Sequence, residues 1–146
     1  MIKIIDCGSQ LTQNIARRVR ELGVYAEIVP FNTPIERIRT QDLEGIVISG
    51  GQFSVYDRGS PIYSKEVLNS GVPILGICYG QQSIAHLLGG KVSPAQSREY
   101  GETNVRRIGE SRLFQEVSDD FKAWMSHGDV VEQLPEGFET IAVSEN

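Results

Sequence analysis

The stretch "PILGICYGQQSIAHLLGG" (73–90) decides how the rest of the chain is read. An apolar, β-rich run leads into a cysteine set between two glycines, Gly76-Ile77-Cys78-Tyr79-Gly80, and a helical pattern begins directly behind it. A strand that turns sharply into a helix, with small residues on both sides of a cysteine, has the form of a nucleophile elbow. The elbow residue is held in a strained conformation, and side chains at the flanking positions would collide with neighbouring backbone. Such a thiol stands off the carboxyl end of the sheet, where open α/β folds place their sites. The N–H groups of a helix starting at Tyr79 would face the sulfur, favour thiolate over thiol, and could hold an oxyanion. The alternative is a small buried hydrophobe at a strand end.

Working outward, the same strand–helix alternation runs back to the N-terminus. "IKIID" (2–6) reads as a buried first strand. Leu11, Ile15, Val19 and Leu22 recur at helical spacing, with Ser9 as N-cap and Gly23 as stop. "VYAEIV" (24–29) is the second strand and "PIERI" (34–38) a short helix. "GIVISGG" (45–51) is the third strand, "IYSKEVLNSG" (62–71) a helix, "VPILGI" (72–77) the fourth strand and 79–88 the helix after it. This β-α alternation predicts a doubly wound, mostly parallel α/β sheet with helices on both faces. After Gly90, short β-like segments near 91–93, 103–108, 121–125 and 138–143 predict an antiparallel extension of the same single domain, 1–146.

The bulk properties fit that reading. The chain has 146 residues, 40% hydrophobic and 23% charged, with a net charge of −5. No Lys/Arg cluster exceeds two residues, which argues against nucleic acid as a partner. No apolar run approaches the roughly 20 residues that span a bilayer, and the N-terminus enters "IKIID" without a signal peptide. Two cysteines form neither a disulfide framework nor a metal site, so a cytoplasmic location with a free thiol is expected.

Other chemistry-bearing residues are few. "ISGGQFSV" (48–55) also ends a parallel strand, so Gly51 would lie on the same sheet edge as Cys78 and could supply a second backbone N–H. His86 lies eight residues after Cys78 on one helix, about 12 Å along the axis at roughly 1.5 Å per residue, too far for a base. His127, in the turn-like "WMSHGD" (124–129), either approaches a pocket or is solvated. Cys7 reads as a packing residue at the end of the first strand.

Five stretches in order, "IIDCGSQLTQNIARRVRELGVYAEI", "GIVISGGQFSVYD", "GVPILGICYGQQSIAHLLGGKV", "SREYGET" and "WMSHGDVVEQLPEGF", resemble the class I glutamine amidotransferase domain of the GMP synthase family. The resemblance implies a flavodoxin-like fold and a glutaminase. Its elbow cysteine, here Cys78, would form a glutamyl thioester and release ammonia. Gly51 and Tyr79 would supply the oxyanion N–H groups, and Gln82, Ser126 and His127 would lie on the glutamine side. Ammonia would pass to a synthetase domain or subunit that aminates XMP to GMP with ATP and Mg²⁺, so no cofactor is expected in this domain. The family's Gly-Gly-Pro turn is here Gly50-Gly51-Gln52, which removes proline's fixed φ. Cys7 stands where the family has an aromatic. The family's Phe-His-Pro-Glu segment, carrying its catalytic His and Glu, falls beyond Asn146, so His127 is not that histidine and the 146 residues alone are expected to turn over glutamine weakly. Two other readings are a non-catalytic glutamine-binding or regulatory module of the same fold, and the amidotransferase of another pathway.

Overall fold

The computed structural model describes residues 1–144, including every side chain in that range except those of 96–99. Four parallel strands form the first sheet: β1 (Ile2–Asp6), β2 (Ala26–Pro30), β3 (Gly45–Ile48) and β4 (Ile74–Gly76), in the order β2-β1-β3-β4. The chain winds outward from β1 to β2, then crosses back to β3 on the other side of β1. A crevice therefore opens at the carboxyl ends of β1 and β3, the topological switch point of an open parallel sheet. Helices cover both faces, as the alternation predicts. On one face α1 (Thr12–Glu21) sets Ala16 against Ile4, Ala26 and Val47. On the other, α2 (Ile35–Ile38) and α3 (Tyr79–Leu87) pack Ile35, Ile38, Tyr79 and Ala85 on Ile5, Ile46 and Ile48.

Several expected elements differ in detail. Helix α1 starts at Thr12, not behind a Ser9 cap: the Ser9 hydroxyl accepts the Leu11 N–H, and the Ser9 carbonyl accepts both the N–H and the hydroxyl of Thr12. The expected apolar stripe is consequently displaced. Leu11 and Leu22 occupy the two helix caps and are 60% and 82% exposed, while Thr12 and Ala16 are buried. Gly23 does terminate this helix, at φ 78°. The segment 62–71 forms only a 3-10 turn, Lys65–Asn69, entered through the Ser64 hydroxyl and left at Gly71 with φ 81°. Asn69 and Ser70 offer the backbone local alternatives to a longer helix.

The texture change after Gly90 corresponds to a second, antiparallel sheet. The expected short segments at 91–93, 103–108 and 121–125 are instead parts of two long strands, β5 (Lys91–Arg107) and β6 (Asp120–Gln133). The segment near 138–143 gives only β7 (Ala142–Ser144), which pairs on the outer side of β5 in the order β6-β5-β7. Register shifts near Lys91 and between Pro94 and Glu99 interrupt the alternation, so the sequence shows fragments where the backbone ladder is continuous. His127 accordingly lies within β6, paired with Glu99, and not in a turn. The ladder supplies the backbone partners that a turn-like, glycine-containing stretch lacks locally.

Candidate active site

The turn after β4 is built around two glycines that cannot be anything larger. A Cβ on Gly80 would stand 2.2 Å from the Ile48 carbonyl oxygen, and one on Gly76 would stand 2.7 Å from the Gly80 carbonyl carbon and the Gln81 nitrogen. The elbow backbone is thus pressed onto β3, and the Ile77 N–H donates to the Ile48 carbonyl at 3.0 Å. Between the glycines, Cys78 takes φ 53° and ψ −113°, a left-handed conformation for a residue with a Cβ. Such a conformation costs roughly 1–3 kcal/mol and persists only where its surroundings enforce it. Cys78 then serves as the N-cap of α3, whose first N–H groups point back toward it.

A second turn closes on the first. After β3 the chain passes through Ser49, Gly50 and Gly51, and a Cβ on Gly51 would lie 2.5 Å from the Cys7 carbonyl oxygen. Gly51 therefore sits on the backbone just past β1. The backbone amides of Tyr79 and Gly51 act on the Cys78 thiol by lowering its pKa. The two turns that carry these amides meet at the elbow, where a Cβ on Gly50 would lie 3.5 Å from the Cys78 Cβ. Tyr79 itself is fully buried, and its ring packs over Gly51.

The electrostatics of Cys78 differ from expectation. Burial pushes the thiol above its ordinary pKa; the Tyr79 and Gly51 amides act against this, and the Asp129 carboxylate adds to the rise. The helix N-terminus thus does not by itself make a resting thiolate, because desolvation of a half-buried sulfur outweighs the effect of the two amides. The thiol proton is directed at the Ser126 carbonyl, 3.5 Å away.

Strand β6 brings the remaining expected residues over the elbow. The buried Gln82, one turn into α3, donates from Nε2 to the Asp129 carbonyl at 3.0 Å. His127 Nδ1 lies 3.2 Å from that same carbonyl. The Ser126-His127-Gly128-Asp129 segment is therefore tied to the elbow helix through Gln82 and to Cys78 through the Ser126 backbone. The contact of Ser126 with Cys78 is made by its carbonyl, not its hydroxyl. His86 stays away from this group and packs edge-on against Tyr56, with ring centres 5.2 Å apart. Cys7 is fully buried, and burial together with Asp6 pushes its thiol up to about 12, which makes it an inert packing residue. A shallow hollow further along the second sheet, lined by Asn104, Val105, Arg106, Asp120, Val143 and Ser144, contains neither cysteine nor histidine. Among the described residues no group of His, Cys, Asp or Glu forms a metal site, and no helix is long and apolar enough to cross a membrane.

Sequence reasoning missed Ser49, which is fully buried at the end of β3. Its one signal was a hydroxyl residue between a wholly apolar strand and a glycine pair, "GIVISGG".

An elbow cysteine at the start of a helix, with a glycine turn packed beside it on a doubly wound sheet, has the form of a hydrolytic or acyl-transfer site, and residues 3–146 match the family "Glutamine amidotransferase class-I". The chain belongs to that family. Among curated relatives it is 52% identical over 145 residues to the glutamine-hydrolysing GMP synthase of Aquifex aeolicus, covering 99% of this chain and 28% of that protein. It is 51% identical over 146 residues to the corresponding enzyme of Caldicellulosiruptor saccharolyticus, covering 100% of this chain and 29% of that protein. Among solved structures, a candidate GMP synthase subunit from Thermoplasma acidophilum superposes with a TM-score of 0.82 at 31% identity, over 99% of this chain and 72% of that one. A glutamine amidotransferase from Thermotoga maritima shares the fold, with a TM-score of 0.74 at 21% identity over 99% of this chain and 66% of that one. The chain thus spans under a third of the curated relatives it matches.

Proposed function

We propose that this chain is the glutaminase part of a GMP synthase, releasing ammonia from glutamine for the amination of XMP. The observation that carries the reading is Cys78 itself: a left-handed elbow at the start of α3, with the Gly50–Gly51 turn packed against it. In the first step the Cys78 sulfur attacks the side-chain amide carbon of glutamine. The carbonyl oxygen takes up negative charge and is held by the two N–H groups. The C–N bond then breaks, the thiol proton passes to the nitrogen, and ammonia leaves a glutamyl thioester. Water cleaves the thioester, giving glutamate and restoring the thiol. Gln82 and the Ser126–Asp129 segment border the space above the sulfur and hold the substrate's far end.

The acid–base groups for proton delivery and water activation belong, by the resemblance, to the family's Phe-His-Pro-Glu segment, which is not among these residues. ATP and Mg²⁺ act in the synthetase domain or subunit, which adenylates XMP before ammonia arrives, and the whole is cytoplasmic. The test has two arms. An electrophilic glutamine analogue is expected to label Cys78 once, as read by peptide mapping. With the synthetase part, glutamine, ATP, Mg²⁺ and XMP are expected to yield GMP. Labelling without GMP, and with another acceptor aminated, would assign the domain to another pathway; no labelling would leave a regulatory module.

A further inference from the structure

The oxyanion amide of Gly51 belongs to the peptide that begins at the Gly50 carbonyl. In a planar trans peptide, that carbonyl and that N–H point in opposite directions. Whatever holds the Gly50 oxygen therefore aims the Gly51 N–H. Glycines on both sides of the peptide leave it free to rotate, and Gln52 has no ring to fix the next φ.

The Ser49 hydroxyl occupies the position that removes this freedom. Its oxygen accepts the Cys7 N–H at 2.9 Å, in a fully buried contact between the ends of β1 and β3. A backbone N–H can only donate, so the hydroxyl's single proton is left for another acceptor. That acceptor is the Gly50 carbonyl, also at 2.9 Å. The Ser49 backbone is itself pinned, its N–H donating to the Ile5 carbonyl at 3.0 Å. The same peptide lies against the elbow: a Cβ on Gly50 would stand 3.5 Å from the Cys78 Cβ and 3.6 Å from the Ile77 carbonyl oxygen, and the Gly51 amide lowers the pKa of the thiol. A chain of directed bonds thus runs from β1 through Ser49 to the Gly50–Gly51 peptide, which packs against the elbow.

We propose that Ser49 is a positioning residue of the oxyanion site: its hydroxyl locks the Gly50–Gly51 peptide with the Gly51 N–H facing the carbonyl under attack by Cys78. Rotation of this peptide would replace an N–H by a carbonyl oxygen at the place where negative charge develops. The inference rests on the glutaminase reading for its biological meaning, but the geometry can be tested without glutamine.

Two reagents separate the effects. p-Nitrophenyl acetate acylates Cys78 through a tetrahedral oxyanion: the S–C bond forms, the ester C–O bond breaks, p-nitrophenolate leaves and the thiol proton goes to solvent. Iodoacetamide alkylates the same sulfur by displacing iodide, with no oxyanion. Both begin from the same thiolate, so the ratio of acylation to alkylation rate at Cys78, resolved by peptide mapping, isolates the oxyanion contribution. For Ser49→Ala the ratio is expected to fall about 10- to 100-fold, against the 10²–10³ typical of deleting an oxyanion donor outright. Ser49→Thr, which keeps the hydroxyl, is expected to restore it to within about threefold on that same scale. Alkylation of the buried Cys7 reports loss of structure. Where Ser49→Ala exposes Cys7, Ser49→Cys replaces it: similar in size but a weak donor, it should still lower the ratio more than threefold. An unchanged ratio in the folded hydroxyl-free variant, or a Ser49→Thr ratio as low as that of Ser49→Ala, would overturn the proposal. Failure of the glutaminase reading would appear separately, as wild-type chain that shows the ratio effect but takes no glutamine analogue.

Discussion

Gly80→Ala puts two opposing effects in direct competition. Gly80 lies in the first turn of α3, where alanine is a better helix former than glycine by about 1 kcal/mol. Propensity alone predicts stabilisation. The added methyl, however, would stand 2.2 Å from the Ile48 oxygen, 2.9 Å from its carbon and 3.0 Å from the Ser49 oxygen. All three are backbone atoms of one strand end, and no side chain can swing aside to relieve them. The helix start must move away from β3 by about 1 Å to reach ordinary contact. That movement stretches the Ile77–Ile48 hydrogen bond, now 3.0 Å. Losing it costs about 0.5–1.5 kcal/mol, on top of the 1–3 kcal/mol or more of a forced backbone shift. We expect a net destabilisation of about 0.5–3.5 kcal/mol after the propensity gain. Urea unfolding followed by far-UV circular dichroism measures this as a lower midpoint at unchanged slope. The displaced elbow should also slow acylation of Cys78, because the Tyr79 N–H moves with the helix. A variant within about 0.5 kcal/mol of wild type, or one more stable, would refute the reading of Gly80 as a packing requirement.

Three further outcomes follow from the site and the buried thiols. Alkylation of Cys78 should rise with pH to a midpoint above the ordinary thiol value, because burial favours the neutral form; a midpoint near neutrality would show a resting thiolate. For Cys7, folded and unfolded chains both keep the proton below pH 9.0, whereas from there to about 12 only the folded chain does. Unfolding free energy should therefore fall as pH rises through that window, by up to about 1.4 kcal/mol per pH unit from this group; Cys7→Ala should flatten the slope in urea titrations, and an unaltered slope would contradict it. The buried Tyr63 adds to the decline at higher pH, since burial raises its hydroxyl too. A polypeptide of these 146 residues alone is expected to be acylated but to release ammonia far below about 10 s⁻¹, since positioned acid–base groups contribute roughly 10²–10⁴-fold. Ordinary turnover that vanishes in His127→Ala would make His127 the base and remove it from the substrate side.

The parallel sheet and the elbow were legible because both are written in local terms. Strands β1, β3 and β4 are short apolar runs bounded by turn residues, and the Gly76–Gly80 spacing states a steric need that one segment carries by itself. Cys7 and His86 were also readable, one from its strand end and the other from helical rise. The sequence by itself therefore determined the alternation, the position of the elbow cysteine and the glycines that frame it. What it could not express is anything set by pairing across distance. The ladder between β5 and β6 joins residues such as Tyr100 and Ser126, and its backbone bonds override the turn-like composition around His127. The proton acceptor of Cys78 is a carbonyl 48 positions away, and a carbonyl carries no sequence signature. Desolvation of the sulfur depends on what packs over it, so its pKa direction reversed the local expectation from the helix N-terminus. Ser49 joins β1 to the oxyanion turn across 42 positions. Only the folded sheet, by placing the ends of β1, β3 and β4 side by side, turns that ordinary serine into the anchor of a single peptide's orientation.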